Sequence, residues 1–174
     1  MRNCILKTLA VYACVMLVAA CTVSYSFTGA SIDYNTTKTI TIEPFANRAA
    51  YQWAPMAPML NTTLCDRYNN QTKLVQVKRD GDLVITGEIT SYDQTNKSVS
   101  ADGYSSMVQL RMTVKVKYTN NKKHQDDFDK TFSANREYDA SQQLSAVQDE
   151  LVQQMIDDIV DQIFNATVAK WTKK

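Results

Sequence analysis

Few side chains in this sequence could carry covalent chemistry, and their spacing decides whether any of them do. There is one histidine, His124, and a serine or cysteine nucleophile activated by an imidazole would have to use it. It lies in the polar stretch Asn120-Asn121-Lys122-Lys123-His124, just before Gln125-Asp126-Asp127, which reads as a solvated turn. Asp126, Asp127 and Asp129 invite a calcium reading, but the glycine and distal glutamate of an EF-hand loop are missing, so they read as loop charges. Asp157 and Asp158 fall on the polar side of a helix and read as a solvated face. With only four glycines the chain has no glycine-rich phosphate loop. No enzyme, metal or dissociable cofactor is expected. One thiol stands apart: Cys21 follows Leu17-Val18-Ala19-Ala20 directly.

That position matters because of what precedes it. Arg2 and Lys7 form a positive start, Leu9 to Ala20 an apolar run, and small residues end it, the three parts of a secretory signal. The run is too short for a membrane span, which needs about 20 apolar residues. With its cysteine, Leu17 to Cys21 resembles the bacterial lipobox, in which the thiol is diacylated before cleavage and the cysteine becomes the first mature residue. Each buried CH₂ contributes about 0.8 kcal/mol, so several palmitate-like chains hold a protein to a bilayer where one would release it. Thr22 follows the cysteine where an aspartate would signal retention elsewhere, and residues 22–26 contain no acid. By resemblance to lipoprotein sorting signals, the expected location is the outer membrane, with the covalent lipid on Cys21 as anchor. Residues 1–20 are then a signal peptide and 21–37 a lipidated N-terminus and linker, rich in Ser, Thr and Tyr.

Removing residues 1–20 removes Arg2 and Lys7 and no acid, leaving 17 basic against 18 acidic residues. Such a balance argues against a nucleic-acid partner. A domain of about 150 residues can bury its own core. Once the signal is cut and Cys21 acylated, Cys65 stands alone, so no intramolecular disulfide is expected. Its apolar helical setting suits a buried, inert thiol.

The elements follow from periodicity. Thr39 to Glu43 alternates as a strand that Pro44 ends, and Phe45 to Ala57 reads as a loop. A first helix is expected from Pro58 to Tyr68, with Asn69-Asn70 as its stop. Lys73 to Val77 reads as a short strand and Arg79-Asp80-Gly81-Asp82 as a turn accepting positive φ. Leu83, Ile85 and Ile89 share one face of the next strand, Gly87 marks a bulge or close approach, and the two strands are expected to pair as a hairpin. Asp93 to Ser98, on to Asp102-Gly103, reads as a polar loop. From Val108 to Tyr118 apolar residues alternate strictly with Gln109, Arg111, Thr113, Lys115 and Lys117, a strand with one dry and one wet face. Phe128, Phe132 and Tyr138 mark one side of a last strand. From Ser141 to about Ala169, Leu144, Val147, Leu151, Met155, Ile159 and Ile163 form one apolar row, and an adjacent row runs from Val152 to Val168. Their combined width suits a helix lying on a sheet. The expected fold is α+β: a two-layer sandwich in the order β-α-β-β-β-β-α, two helices on one face of a mixed, mostly antiparallel, four- to five-stranded sheet, in one domain over residues 38–171.

Several stretches together resemble the Bacteroidetes branch of the LPS-assembly lipoprotein family LptE. They are Tyr25 to Ile32, Ile42 with Phe45-Ala46-Asn47-Arg48-Ala49, Arg79 to Leu83 followed by Gly87 to Tyr92, the strand Leu110 to Tyr118, Asp161 to Asn165, and Trp171. The resemblance implies two helices packed on one sheet, and a non-enzymatic partner of an LptD-like outer-membrane β-barrel. Such a protein sits in the barrel lumen or at its periplasmic face, supports barrel assembly and helps lipopolysaccharide reach the outer leaflet. Lipopolysaccharide phosphates would need cations at a loop end of the sheet, and Arg79, Lys97, Lys122 and Lys123 are the candidates in expected turns. The alternative is a stand-alone periplasmic lipoprotein that binds a glycan or another ligand, which a deep apolar pocket with convergent polar groups would favour.

Overall fold

The structure is a computed structural model that describes residues 32–99 and 105–168. The signal, Cys21, the linker to Ser31, the loop around Asp102-Gly103, Lys170 and Trp171 lie outside the described residues.

One mixed sheet carries two helices on a single face. Its strands are β1 (Thr39–Ile42), β2 (Ala46–Asn47), β3 (Val75–Gln76), β4 (Leu83–Val99), β5 (Ser105–Asn120) and β6 (Phe128–Asp139), and the helices are α1 (Met56–Gln71) and α2 (Leu144–Thr167). The order across the sheet is β3-β1-β4-β5-β6, with β2 following β1 along the same edge of β4. The expected fold class holds. The sheet gains a sixth strand because β2, two residues long, forms inside the expected loop 45–57.

β5 is the centre, and its alternation does what the sequence implied. Leu110, Met112, Val114, Val116 and Tyr118 are buried under the helices while Arg111, Lys115 and Lys117 are exposed. β4 and β6 both pair with it antiparallel over most of their length. Phe128, Phe132 and Tyr138 share the helix-facing side of β6, paired with Tyr118, Val114 and Val108. α2 lays Val152, Met155, Ile156, Ile159, Val160 and Ile163 into the core. The two helices run in the same direction: Gln153 Nε2 donates to Thr63 Oγ1 at 3.4 Å, and Arg67 pairs with Asp161 at 2.5 Å.

Pro44 explains the break between β1 and β2, because it has no N–H for the ladder. Past it, Phe45 N donates to Asn61 Oδ1 of α1 at 2.8 Å, and the Phe45 ring lies on Gly87 of β4. Gly87 is therefore a close approach. The bulge falls nearby, where the register shifts between Ile89 and Ser91.

Two expectations are corrected. β3 and β4 do not form a hairpin; both run parallel to β1, which lies between them. Parallel strands usually need a long crossover. Here β3 ends beside Ile40 and β4 begins beside Ile40, so residues 77–82 only have to step across β1. Gly81 makes that step: a Cβ there would lie 2.6 Å from Thr41 N and 2.9 Å from Ile40 C. The positive φ expected in this turn belongs to Asp80, at 57°. The second correction is that residues 93–98 are strand, because β4 continues to Val99 against β5. Both faces of β4 are wet over residues 93–97, so no apolar alternation announced it.

Asp82 locks the crossover. Its Oδ2 accepts Lys38 N at 2.8 Å and Thr39 N at 3.1 Å, and Oδ1 pairs with Lys122 Nζ at 3.0 Å. The Lys38 amide first, then Lys122, hold this carboxyl well below the usual carboxylate range. A depressed folded-state pKa contributes stability above the unfolded value of about 3.9 and loses it as pH falls toward the folded one. Urea midpoints taken from pH 7 down to pH 2 should therefore show a steep acid limb below about pH 4. Asp82→Asn should lower the neutral-pH midpoint and flatten that limb; an unaltered limb would show that Asp82 does not govern acid stability.

Candidate functional site

Among the described residues no element packs on the sheet face opposite the helices, and this face carries aligned rows of polar side chains. Down its middle run Gln109, Arg111, Thr113, Lys115 and Lys117 of β5. Thr86 and Glu88 of β4 pair with Lys117 and Lys115 on one side, while Asp129, Thr131, Ser133, Asn135 and Glu137 of β6 pair with the whole β5 row on the other. A central cationic column is thus flanked by acids, and Lys115 Nζ reaches Asp129 Oδ2 at 3.3 Å. The face is charged but locally compensated, and exposed pairs of this kind contribute only about 0–1 kcal/mol each. Sequence reasoning found the β5 column and missed the β6 one, although Asp129, Thr131, Ser133, Asn135 and Glu137 occupy every second position.

Two shallow cavities border this surface. One, of 390 Å³, lies along the outer edge of β6 against α2, with Ser133, Arg136, Asp158 and Gln162 in its lining. The other, of 290 Å³, lies on the open face around Thr86, Glu88, Lys115, Lys117 and Asp129. Both linings are dominated by polar and charged side chains, so neither is the deep apolar pocket that a small-ligand binder would use.

The edge beside the first cavity is closed to strand pairing. Gln162 Nε2 donates to Ser133 O at 3.2 Å and Arg136 NH1 to Asn135 O at 2.8 Å. Both carbonyls point outward from β6, so these side chains occupy acceptors that another chain's strand would need. Asp158 of the adjacent Asp157-Asp158 pair bonds Arg136 at 2.7 Å, whereas Asp157 is exposed. Asp157 also accepts Gln153 Nε2 at 2.9 Å, so of the two only Asp157 stays on the exposed face that the sequence suggested, and both carboxylates have a partner.

The chemical candidates separate in space. His124 is exposed in a short 3₁₀ turn, with Nδ1 3.1 Å from Asp127 Oδ2. Asp127 also accepts Asn120 N at 2.7 Å, and Asp126 pairs with Lys123 at 3.4 Å. Each carboxylate faces its own partner. Among the described residues no group of three or more His, Cys, Asp or Glu could hold a metal ion, and no helix is long and apolar enough to cross a membrane. Cys65 is half-buried, and burial followed by the charge of Asp66 pushes its thiol pKa up, as an inert packing role requires.

Of the four cations considered for phosphate, Arg79, Lys122 and Lys123 share one end of the sheet: Lys122 pairs with Asp82, and Asn121 Nδ2 donates to Gly81 O at 2.8 Å. Lys97 lies near the far tip of β4, about 45 Å away at roughly 3.3 Å per residue. The four cannot form one site. Lys122 and Lys123 are also partly neutralised by Asp82 and Asp126.

At the β4 tip end the core closes with a polar network. Gln148 Nε2 donates to Tyr92 OH at 3.2 Å, Tyr138 OH donates to Gln94 Oε1 at 3.0 Å, and Tyr51 stacks on Tyr92 with ring centroids 5.7 Å apart. Desolvation pushes the Tyr92 pKa up to about 12, so the phenol stays protonated.

Comparison with known proteins agrees with this architecture. The family model described as LptE, lipopolysaccharide-assembly, matches residues 37–167. No curated protein matches the sequence. A hypothetical protein of Chlamydia trachomatis has a similar structure at TM-score 0.52 and 12% identity, covering 75% of this chain and 98% of its own. An uncharacterized lipoprotein B of Nitrosomonas europaea is similar at TM-score 0.51 and 16% identity, covering 73% and 79%. At such identities the likeness is one of fold. The family match spans nearly all the described residues, from the start of β1 to the end of α2, and on that ground the chain belongs to the LptE family of lipopolysaccharide-assembly proteins.

Proposed function

We propose that this protein is an outer-membrane lipoprotein, lipidated at Cys21, that seats in the lumen or at the periplasmic face of an LptD-type β-barrel. There it supports the barrel's assembly and the passage of lipopolysaccharide to the outer leaflet, with no catalytic step of its own. The observation that carries this reading is the division of surfaces: a filled apolar core on one side of the sheet and a charge-compensated polar face on the other. Barrel lumens are polar, and a protein that fills one needs this combination of dry interior and wet exterior. The alternative, a stand-alone ligand-binding lipoprotein, is less favoured because both cavities are open and polar-lined.

Arg79, Lys122 and Lys123 are retained as the group that faces lipopolysaccharide phosphates, and Lys97 is set apart by distance. Affinity purification of the protein from native outer membranes in mild detergent should recover an LptD-like barrel; recovery without one would sink the partnership. Cys21→Ala should leave a folded domain that no longer fractionates wholly with the outer membrane. If that variant still does, barrel contacts alone suffice for its location.

A further inference from the structure

Residues Ala49 to Cys65 contain no Asp, Glu, Lys, Arg or His, the longest uncharged run among the described residues. Its first part forms the connection from β2 into α1, where Ala50, Tyr51, Gln52, Ala54 and Pro55 are exposed, as is Pro58 in the first turn of α1. Tyr51 is 50% exposed, yet its ring is already fixed by stacking on Tyr92. An exposed, pre-ordered aromatic in a charge-free setting matches the core of a protein interface, which is depleted in charge and enriched in Tyr, Trp and Met.

The backbone beside these side chains distinguishes a lipid from a protein occupant. Among the described residues the N–H groups of Tyr51 to Ala54 bond to no acceptor. Pairing of β2 with β4 stops at Asn47 and Ile89, while β4 runs on to Val99. Ladder alternation turns the N–H and C=O of Gln94 and Asn96 outward along that edge, where no described strand pairs, and both residues are exposed. Acyl chains cannot satisfy such groups, and each one left unpaired in hydrocarbon costs several kcal/mol. An extended peptide satisfies them by adding a strand. The contrast with the opposite edge is direct, since Gln162 and Arg136 occupy the outward acceptors of β6.

We propose that the connection from Ala49 to Pro55, the first turn of α1 and the adjoining β4 edge at Gln94 and Asn96 form the docking surface for an uncharged, extended segment of the barrel partner. That segment continues the row of β1 and β2 along β4 and sets apolar side chains against Tyr51. The assignment rests on the barrel partnership proposed above and specifies which surface makes the contact.

Photo-crosslinking residues placed singly at Ala54, Gln94, Thr113 and Asp157 of the lipidated full chain, in native membranes, test it. Thr113 samples the centre of the open sheet face and Asp157 the outer side of α2. The barrel should be captured more strongly from Ala54 and Gln94 than from the other two. Equal or weaker capture there overturns the docking surface while leaving the partnership standing. No barrel adduct from any of the four defeats the partnership itself. Lipid adducts alone at Ala54 overturn the proposal in favour of a bilayer contact. Tyr51→Asp should reduce barrel recovery by about tenfold or more with an unchanged thermal transition, since truncated interface anchors typically cost upward of about 1.4 kcal/mol; undiminished recovery from the folded variant counts against the proposal.

Discussion

Gly87→Val is expected to destabilise the domain by about 3 kcal/mol, the upper part of the usual range for overpacking a filled interior. Strand propensity alone predicts the reverse, because valine in a β-strand is favoured over glycine by up to about 1 kcal/mol. Contact geometry decides the sign. A Cβ on Gly87 would meet Phe45 Cε1 and Lys115 O, each at 2.4 Å. The Phe45 ring is 2% exposed and its amide is bonded to α1, so it has little room to retreat. Lys115 O belongs to the central strand, so relief there requires moving β5. Equilibrium urea denaturation should show the loss as a lower midpoint with an unchanged slope. A Gly87→Val protein as stable as the parent would mean that the segment around Phe45 can leave β4 without cost.

The second large effect is expected at Tyr68. Its side chain is fully buried near the end of α1, its ring meets Phe164 of α2 edge-on at 5.3 Å, and its hydroxyl bonds to the Thr167 hydroxyl. Burial raises the phenol's pKa above its ordinary value, so it remains a neutral hydrogen-bonding group. Tyr68→Ala should cost about 3–5 kcal/mol, the range for deleting a buried aromatic into a site that relaxes only partly. Tyr68→Phe keeps the ring and loses one hydrogen bond, for about 1 kcal/mol. Thr167 still donates to Ile163 O at 3.0 Å, which limits that loss. Thermal denaturation of both variants separates packing from hydrogen bonding. Equal losses for the two would show that the hydroxyl, rather than the ring, joins the helices.

These sites differ in how far the sequence announced them. Tyr68 belonged to the expected rows of the first helix, and its burial follows from helical spacing. The expected helix ended at that residue, whereas α1 continues to Gln71, where Thr72 Oγ1 donates to Tyr68 O at 2.7 Å. Gly87 was expected as a bulge or close approach, but nothing local named Phe45 as the neighbour, which arrives from beyond Pro44. Among the candidate site residues, Arg79, Lys122 and Lys123 come together because the crossover and the β5–β6 turn share one end of the sheet. Lys97 reads as a loop residue because no apolar alternation surrounds it, yet it lies in β4, which carries it to the opposite end.

Sequence alone determined the elements whose side chains face two different environments. β5 and α2 are visible in it because one dry face and one wet face impose a period of two or of 3.6 on the residues, and the compartment was inferred from the apolar run ending at Cys21. Only the tertiary structure decided what depends on partners distant in the chain: that β3 and β4 flank β1 instead of pairing, that β4 runs on through a polar stretch, and that the two strand edges differ in their protection. In each case the cause is backbone hydrogen bonding between segments. The peptide group is the same in every residue, so its pairing leaves little trace in side-chain type until the chain has folded.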